Sequence, residues 1–397
     1  MNTIKIIFKK ELIDTLRDRR TLITMVALPL LLIPLLFSIS SKLMTKQMKK
    51  AQAEVLKIGL IANDNAEQFR EMLVNSENVK IIENISIERA RALIQKDSLA
   101  GAFSFDQDFD KELMELKAGK VHVYYKTKER QSITKMRLLE LIKGFEKKLM
   151  STRLKKLGFQ QSIVNTVKLY EINIATPKER VGQIIGGFLP YLFILFCFLG
   201  CMYPAIDLGA GEKERGTLET LMTSPANRLH ILIGKFGVVV LTGVMSAIIS
   251  MIGMYVGIKQ MTEIPPELLG AMLSILELHS IVLVLSLLVP LTIFFAGIEL
   301  SLSIYAKSFK EAQSIISPLT LVVILPAFIG LLPGMVLNKT TALIPILNVS
   351  LASKDILSGT VNSVLLAEVY LSMFLLAGIS LYFCSKWFAR EETIFRL

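Results

Sequence analysis

The chain has 397 residues, of which 52% are hydrophobic and 20% are charged, and its formal net charge is +11. Its mean hydropathy of +0.53 is far above that of a soluble domain, so apolar and charged residues must be segregated into different stretches. This composition excludes a soluble cytosolic enzyme and predicts a membrane protein with one sizeable polar domain.

The first predicted element is an amphipathic helix in residues 1–20. Its apolar face repeats at helical spacing and contains Ile4, Ile7, Phe8, Leu12 and Leu16. Lysines and arginines occupy the other face, which is typical of an elbow helix lying along the cytoplasmic surface of a membrane. The alternative is that these residues are simply the cytoplasmic start of the first span.

Six apolar runs are long enough to cross a bilayer, which takes about 20 residues each. The first, residues 21–41, contains two prolines and no small-residue cleavage site follows it, which favours an anchor over a secretory signal. The other five spans lie within residues 181–397 and are predicted near Val181–Pro204, Ile231–Ile258, Ile281–Tyr305, Ser314–Leu332 and Val364–Trp387.

The six spans place both termini on the same side of the membrane. Short segments on that side contain fourteen Lys or Arg residues, against three on the other side, Lys259, Lys339 and Lys354. Because short loops rich in Lys and Arg stay in the cytoplasm, both termini are predicted to be cytoplasmic.

The longest polar segment, residues 42–180, lies outside the cell in this topology and holds most of the basic excess. Its strand patterns lie at 57–62, 79–83, 99–105 and 121–126, and its helical patterns at 66–74, 86–96 and from about Glu129 to Lys156. Ser86 is a candidate N-cap. The alternation predicts a small α/β domain whose basic surface either attracts anionic material or is simply solvated.

Residues 207–230 form a polar loop between the second and third spans. Three glycines are expected to interrupt the helix there: Gly209, Gly211 and Gly216. A short amphipathic helix is predicted from Thr217 to Met222, with an apolar ridge facing the cytoplasm. Such a ridge suits docking into a groove on another protein. Replacing Leu218 and Leu221 by Asp is therefore expected to abolish the function while leaving the protein in the membrane.

The chain resembles ABC-2 type exporter permeases, and most closely the sodium-export permease family called NatB. The resemblance covers the whole chain and rests on GEKERGTLETLMTSP at 211–225, AGIELSLSIYAKSFKEAQS at 296–314 and the tail AREETIFRL at 389–397. It implies an all-α polytopic membrane protein with six transmembrane helices and an inserted extracellular α/β domain between the first and second spans.

By this resemblance, the loop at 207–230 contains the coupling helix that docks on a separate ABC ATPase subunit. The predicted coupling residues are Glu212, Glu214, Arg215, Gly216, Thr217, Leu218, Glu219, Leu221, Met222 and Pro225. A candidate second coupling loop contains Lys307, Phe309, Lys310 and Glu311. The resemblance also implies a dimer of permeases, formed by two copies of this chain or by this chain and a related one.

The energy source is predicted to be another chain. An ATP-driven pump needs a phosphate-binding loop of the form GxxxxGK[ST], and the Gly-Lys pairs here lack the upstream glycine and the following hydroxyl residue. The chain is therefore predicted to be a permease and not an enzyme. No catalytic, metal or nucleic-acid site is expected in it, it binds no cofactor itself, and ATP and Mg are expected on the partner ATPase.

Ionisable residues at membrane depth are candidates for a function, because burying a charge there costs at least about 2.5 kcal/mol. Glu299 and Glu368 lie inside apolar runs and Asp207 at the inner end of the second span, so all three are candidates for a substrate path. Carboxylate oxygens are ligands suited to sodium. The alternative for Glu299 is a position near the cytoplasmic interface, where it would pair with Lys307 or cap the coupling region.

Residues 333–362 mix Pro and Gly with an apolar stretch too short to cross the membrane. They predict either an outer re-entrant hairpin, which would resemble the one in ABC-2 exporters, or a surface loop packed on the outer domain.

Three functions are compatible with these features in a multi-pass protein of a bacterial cell membrane. The first is a permease that exports sodium, and the second is a permease that exports an amphipathic peptide, antibiotic or lipid. The third is a membrane-tethered receptor whose extracellular domain binds a ligand. A partner protein with a GxxxxGK[ST] motif would discriminate the permeases from the receptor.

Overall fold

The computed structural model describes residues 2–53, 55–61, 67–76, 78–126, 132–159, 175–176, 178–179, 181–182, 186–261, 266–332 and 334–390. The chain divides into two compact units. The larger comprises Met1–Lys42 and Ile174–Leu397, and the smaller comprises Leu43–Asn173. The described chain is mostly helical.

The N-terminal segment forms a separate helix followed by a long one. Helix α1 covers Asn2–Arg17. Asp18 then caps the next helix, because its carboxylate accepts hydrogen bonds from the backbone N–H groups of Arg20 and Thr21. The second helix is built from α2, Arg19–Leu22, a π-helical turn, Ile23–Ala27, and α3, Leu28–Ala53.

The smaller unit contains a four-stranded sheet with the strand order β2-β1-β3-β4. Its strands are β1 Leu56–Ile61, β2 Val79–Glu83, β3 Gly101–Phe105 and β4 Val121–Tyr124. Strand β1 pairs in parallel with β2 and β3, and β3 pairs antiparallel with β4. Its helices are α4 Glu67–Val74, α5 Ile87–Gln95, α6 Phe109–Met114 and α7 Ser132–Lys156.

The core of the smaller unit is aromatic. Phe69 from α4 meets Phe103 and Phe105 of β3 and Phe145 of α7, with ring centroids 4.9 to 5.3 Å apart. Ser86 caps α5 as predicted, since its Oγ accepts a hydrogen bond from the backbone N–H of Arg89. The predicted start of the last helix near Glu129 lies outside the described residues.

The rest of the larger unit is a helical bundle. After α8, Phe188–Ile206, come a π-helical turn, Asp207–Gly211, and two short helices, α9 Glu212–Glu214 and α10 Thr217–Met222. The remaining helices are α11 Arg228–Lys259, α12 Pro266–Ser274, α13 Leu278–Tyr305, α14 Phe309–Ile329, α15 Leu347–Ser358 and α16 Ser363–Ala389. A 3-10 turn, Thr341–Leu343, precedes α15.

Among the described residues, six helices are long and apolar enough to cross a membrane. They are Arg19–Leu43, Phe188–Glu214, Arg228–Lys259, Leu278–Tyr305, Phe309–Ile329 and Ser363–Ala389. The apolar stretch of Phe188–Glu214 is 78% buried, whereas those of Phe309–Ile329 and Ser363–Ala389 are 22% buried. Helix α8 is therefore the centre of the bundle, and α14 and α16 expose wide apolar faces that suit lipid.

Two details of this unit differ from the sequence-based expectations. The second long helix begins at Phe188, after Gly186 and Gly187, and not near Val181. Helix α12, Pro266–Ser274, lies between the third and fourth apolar runs, where the sequence predicts no span. In the segment 333–362, the structure contains the 3-10 turn and α15, while Pro333 lies outside the described residues.

Candidate functional site

The segment predicted to couple the chain to a partner begins as a direct continuation of α8. We call residues 207–230 the 2–3 loop, and we call residues 306–311, from the end of α13 through the first residues of α14, the 4–5 loop. The expectation that Gly209 and Gly211 interrupt the helix was wrong, because the chain stays helical through the π-helical turn to Glu214. The interruption comes at Gly216, whose φ of +70° is readily adopted only by glycine.

Gly209 serves a different purpose, which is close approach between α8 and α13. A Cβ atom at Gly209 would collide with the hydroxyl of Ser303 and come within 3.2 Å of the backbone nitrogen of Ile304. The Ser303 hydroxyl accepts a hydrogen bond from the backbone N–H of Ala210 at 2.9 Å and donates one to the Ile206 carbonyl at 3.2 Å. The π-helical turn is thus bonded directly to α13.

Replacing Gly209 by alanine is expected to lower the free energy of unfolding by about 1–3 kcal/mol, because the added methyl forces the two helices apart. The change should also weaken coupling, since it removes the Ser303 contacts from the turn. Thermal unfolding of the purified protein measures the first effect. Gly378→Ala is the matched control in α16, where an added Cβ meets nothing within 4 Å. Equal stability of the two variants would contradict the close-approach role.

The 2–3 and 4–5 loops are joined by direct contacts. Glu214 Oε2 accepts a hydrogen bond of 2.7 Å from the backbone N–H of Phe309, the first residue of α14. Lys213 donates a hydrogen bond to the Ile304 carbonyl at 3.4 Å. The guanidinium of Arg20, at the start of the first long helix, lies 5.5 Å from the Phe309 ring centroid. Three chain segments therefore meet at the start of α14.

The residues of the candidate second coupling loop form the N-terminal cap of α14. Ser308 Oγ accepts a hydrogen bond from the backbone N–H of Glu311, and Glu311 Oε2 accepts one from the backbone N–H of Lys307 at 2.7 Å. This reciprocal arrangement is close to a capping box. Lys307 and Lys310 are exposed, so this short loop presents two positive charges to its surroundings.

Asp207 and Arg215 form an ion pair that spans the π-helical turn. Arg215 Nη1 lies 2.9 Å from Asp207 Oδ1, and both side chains are partly exposed. The hydrogen bond to Asp207 raises the pKa of the Arg215 guanidinium. The structure thus places Asp207, a candidate for the substrate path, in an ion pair of the 2–3 loop.

The apolar ridge of α10 points into the protein. Leu218 is 1% exposed and packs in the main core, while Leu221 and Met222 are half-buried against the same core. The expectation that this ridge faces outward was therefore wrong for Leu218. Glu219 is half-buried. The surface of the loop that is open to a partner is formed by Glu214, Arg215, Thr217, Thr220, Thr223 and Pro225.

Three charged residues are buried where α1, α9 and α11 meet, and we call Glu11, Glu212 and Lys235 the charged cluster. Lys235 is 1% exposed, Glu11 1% and Glu212 4%. Lys235 Nζ lies 2.5 Å from Glu212 Oε2 and 3.9 Å from Glu11 Oε1. It also donates a hydrogen bond of 3.0 Å to the Leu208 carbonyl in the π-helical turn. A single ammonium group thus ties the first helix to the 2–3 loop.

Glu11, the second carboxylate of the charged cluster, has a further basic neighbour at the protein surface. Lys10 Nζ lies 3.1 Å from Glu11 Oε1, with more than half of the Lys10 side chain exposed to solvent. Burial raises the pKa of the Glu11 carboxyl, and the positive charge of Lys235 acts in the opposite direction. Two ammonium groups therefore face two carboxylates.

The sequence analysis missed Glu11 and Lys235 as site residues. The signal that could have found Glu11 is its position one helical turn after Ile7, on the buried side of α1. Lys235 interrupts an otherwise apolar run, ILIGKFGVVV. A charged residue on an apolar face is expensive unless it is paired, so each of these residues predicted the existence of a partner but not its identity.

The two remaining membrane carboxylates have different environments. Glu299, in the C-terminal part of α13, is 0% exposed, whereas Glu368 on α16 is half-buried. Glu299 has no ion pair with Lys307 among the described residues, so the pairing alternative was wrong. The described part of the chain contains no group of three or more His, Cys, Asp or Glu side chains that could hold a metal ion.

Comparison with known proteins gives two matches. A family model described as ABC-2 family transporter protein matches residues 19–385, which include both loops, Lys235 and Glu299. The chain is also 25% identical to ABC transporter permease protein NatB of Bacillus subtilis (strain 168) over 406 residues, covering 96% of this chain and 98% of that protein. No solved structure matches the chain.

Proposed function

The chain belongs to the ABC-2 family of transporter proteins, and from this premise we propose that it is the permease of an ATP-driven exporter, energised by a separate ATPase subunit. It is a multi-pass membrane protein, and as an ABC permease it implies a partner ABC ATPase. We place both termini and the two loops on the cytoplasmic side, because the short segments there are rich in Lys and Arg. The unit at 43–173 then lies outside the cell.

The observation that carries the proposal is the rigid connection between the loop surface and the spans. The exposed edge of α10 is backed by buried Leu218, and the turn before it is bonded to α13 through Ser303 and to α1 and α11 through Lys235. When ATP, with Mg, closes the partner ATPase, a push on the exposed edge is transmitted to α8, α11 and α13. This motion switches access of the transport path from inside to outside.

We propose sodium as the cargo and a pair of permeases as the functional unit. The sequence resembles sodium-export permeases along its whole length, and two carboxylates, Glu299 and Glu368, lie on spanning helices. Oxygen ligands of this kind suit a small hard cation. A half-transporter of six spans needs a second half to enclose a path, so the permease is expected to pair with a second copy or with a related permease.

The docking surface is tested by placing a bulky charge on its exposed face. Thr220→Arg is expected to abolish co-purification with the partner ATPase while leaving thermal unfolding unchanged, because Thr220 is exposed. Thr152→Arg, at an exposed threonine of the smaller unit, is the matched control and should co-purify normally. Normal co-purification of Thr220→Arg would show that α10 does not contact the ATPase.

The cargo is tested in proteoliposomes that contain the permease with its ATPase. ATP added outside should drive sodium into vesicles whose permease is oriented with its loops outward, and no uptake should occur without the ATPase. Accumulation of a hydrophobic peptide or lipid in place of sodium would contradict sodium as the cargo but support the exporter function. The absence of any ATPase partner would favour the receptor function.

A further inference from the structure

An ion pair joins two parts of the bundle at the end opposite the 2–3 and 4–5 loops, which we call the outer end. Lys178 lies in the segment before α8, and Glu277 directly precedes α13. Lys178 Nζ lies 2.9 Å from Glu277 Oε2 and donates a hydrogen bond of 3.4 Å to Ser280 Oγ. Since α8 and α13 both run from this end to the loops, the ion pair ties the two helices together where they begin.

The turn that contains Lys178 is fixed by its own hydrogen bonds. Thr176 Oγ1 accepts a hydrogen bond of 3.1 Å from the backbone N–H of Glu179, and Glu179 Oε2 accepts one of 2.7 Å from the backbone N–H of Thr176. This reciprocal arrangement is a capping box. Because the backbone is held on both sides of Lys178, its side chain extends to Glu277 from a fixed position.

The chain that follows Lys178 packs closely on α15. A Cβ atom added to Gly182 would lie 2.7 Å from Ser358 Cα, so the two backbones are in direct contact. Val181, beside Gly182, is 2% exposed. The same end of α15 also approaches the lysine side chain, since a Cβ atom added to Gly359 would lie 4.0 Å from Lys178 Cδ. Close-packed backbones transmit displacement, so Lys178 moves together with α15.

Helices α8 and α13 are bonded at both ends, and the two connections differ in strength. At the loop end, Ser303 is 0% exposed and is hydrogen-bonded to the end of α8 and the turn after it. Breaking these hydrogen bonds would leave buried polar groups unpaired, which is costly. At the outer end, 23% of the Lys178 side chain and 59% of the Glu277 side chain are exposed, so water replaces either partner at little cost. A displacement of α8 against α13 therefore separates the outer end first.

We propose that Lys178 and Glu277 form an outer latch, a positioning pair that keeps the outer end closed in this conformation and opens when the partner ATPase pushes on the 2–3 loop. In the open state, Lys178 stays with α15 and α8, Glu277 stays with α13, and the transport path opens to the outside between them. The latch rests on the proposed exporter function but not on the identity of the cargo.

The exposure of the pair gives the outer latch the strength of a reversible contact. A partly exposed ion pair changes an equilibrium by at most about five-fold, which each ATP-driven cycle overcomes. The pair of Lys235 and Glu212 in the charged cluster is the contrast, because both side chains are almost fully buried and their separation would leave charges without compensation. The cluster therefore suits a permanent connection, whereas Lys178 and Glu277 suit one that opens.

Distances between spin labels test whether the latch opens, and they require no cargo. Labels on Lys178→Cys and Glu277→Cys in the permease–ATPase complex should be close together without nucleotide and farther apart after ATP is trapped with vanadate, as measured by pulsed electron paramagnetic resonance. The three native cysteines are buried and take up no label. An unchanged distance would overturn the proposal.

The matched control keeps the label at position 178 and moves the second one to the exposed Thr360, directly after α15 and Gly359. The distance between Lys178→Cys and Thr360→Cys should stay the same with and without ATP, because this segment is packed on α15. In the permease alone, the labels at 178 and 277 should give the short distance. A broad distribution there would contradict the latch even if no ATPase partner exists.

Cross-linking in proteoliposomes tests whether opening is required for export. A bifunctional maleimide that joins Lys178→Cys to Glu277→Cys should abolish ATP-driven export. A monofunctional maleimide on the same variant should still permit export, because two separate labels allow the latch to open. Equal export by the two preparations would overturn the proposal. If the original protein exported nothing, the proposed function would fail, and the spin-label distances would still decide whether the pair separates.

ATP hydrolysis without cargo tests the charges of the latch. Lys178→Met and Glu277→Met should each raise the rate of hydrolysis by up to about five-fold, because the closed state loses its ion pair. The reversed pair, Lys178→Glu with Glu277→Lys, should return the rate toward the original, which a merely structural role of either side chain would not do. Lys339→Met, at an exposed lysine, is the control and should leave the rate unchanged. An original rate in both single variants, or no recovery in the reversed pair, would overturn the latch.

Discussion

Replacing Lys235 by methionine is expected to lower the free energy of unfolding by about 3–5 kcal/mol, because the change leaves two buried carboxylates without their shared cation. Glu212 lies 2.5 Å and Glu11 3.9 Å from the Lys235 ammonium group, and all three side chains are almost fully buried. Methionine fills nearly the same volume, so the loss is one of charge balance and not of packing. Urea or thermal unfolding of the purified protein measures it.

The pH dependence of this variant identifies the cause. Burial raises the pKa of the Glu11 carboxyl, and removing Lys235 takes away the charge that opposes this, so Glu11 binds a proton more readily in the folded than in the unfolded state and the folded form is favoured as pH falls. The difference in the free energy of unfolding between Lys235→Met and the original protein should therefore shrink as pH falls. A deficit that stays constant down to acidic pH would mean that charge balance is not the reason.

Two further variants complete the test. Combining Lys235→Met with Glu11→Gln and Glu212→Gln removes all three charges and should recover most of the lost stability, since uncharged replacements of buried ion clusters are often neutral. Lys259→Met, at an exposed lysine at the end of the same helix, should change stability by no more than about 0.5 kcal/mol. If the triple variant were no more stable than Lys235→Met, the lost stability would not come from the charge balance of the cluster.

The Leu218→Asp substitution is expected to destabilise the bundle by about 4 kcal/mol or more, because it removes a buried side chain and inserts a charge that nothing compensates. Leu218 is 1% exposed, so its substitution should lower the amount of folded protein in the membrane before it affects any partner. Fluorescence-detected gel filtration of the detergent extract measures the folded fraction. Leu221→Asp, at a half-buried position, should cost less.

This outcome differs from what the sequence predicts for the same residues. If the apolar ridge faced the cytoplasm, Asp at Leu218 and Leu221 would leave folding intact and abolish only the binding of the ATPase. Thr220→Arg supplies the contrast, since it alters the exposed side of the same helix. Normal folding of Leu218→Asp together with loss of ATPase binding would show that Leu218 docks and would reverse the assignment of the two faces.

Local signals were sufficient for much of the fold. The six long apolar runs correspond to six helices of suitable length, because hydropathy and helical hydrogen bonding are properties of each segment alone. The cap at Ser86 was equally predictable, since it depends on a side chain and a backbone N–H group three residues apart. The strands of the smaller unit followed from alternation bounded by turn residues.

The candidate site was predictable only in part. The position of the 2–3 loop came from its polar composition, but the function of Gly209 did not, because a glycine that permits close packing has the same local signature as one that interrupts a helix. The meeting of Glu214 with Phe309 joins two loops that a whole spanning hairpin separates in the sequence. No spacing rule links such residues.

The sequence by itself determined that this is a multi-pass membrane protein with six helices long and apolar enough to cross, that one polar unit lies between the first and second of them, and where the short loops lie. Only the tertiary structure decided that Leu218 faces inward, that Lys235 is shared by Glu11 and Glu212, and that Glu299 is fully buried without a hydrogen-bond partner among the described residues. The physical reason is that solvation by lipid is decided within one segment, whereas the cost of a buried charge depends on which other helices bring a counter-charge to it.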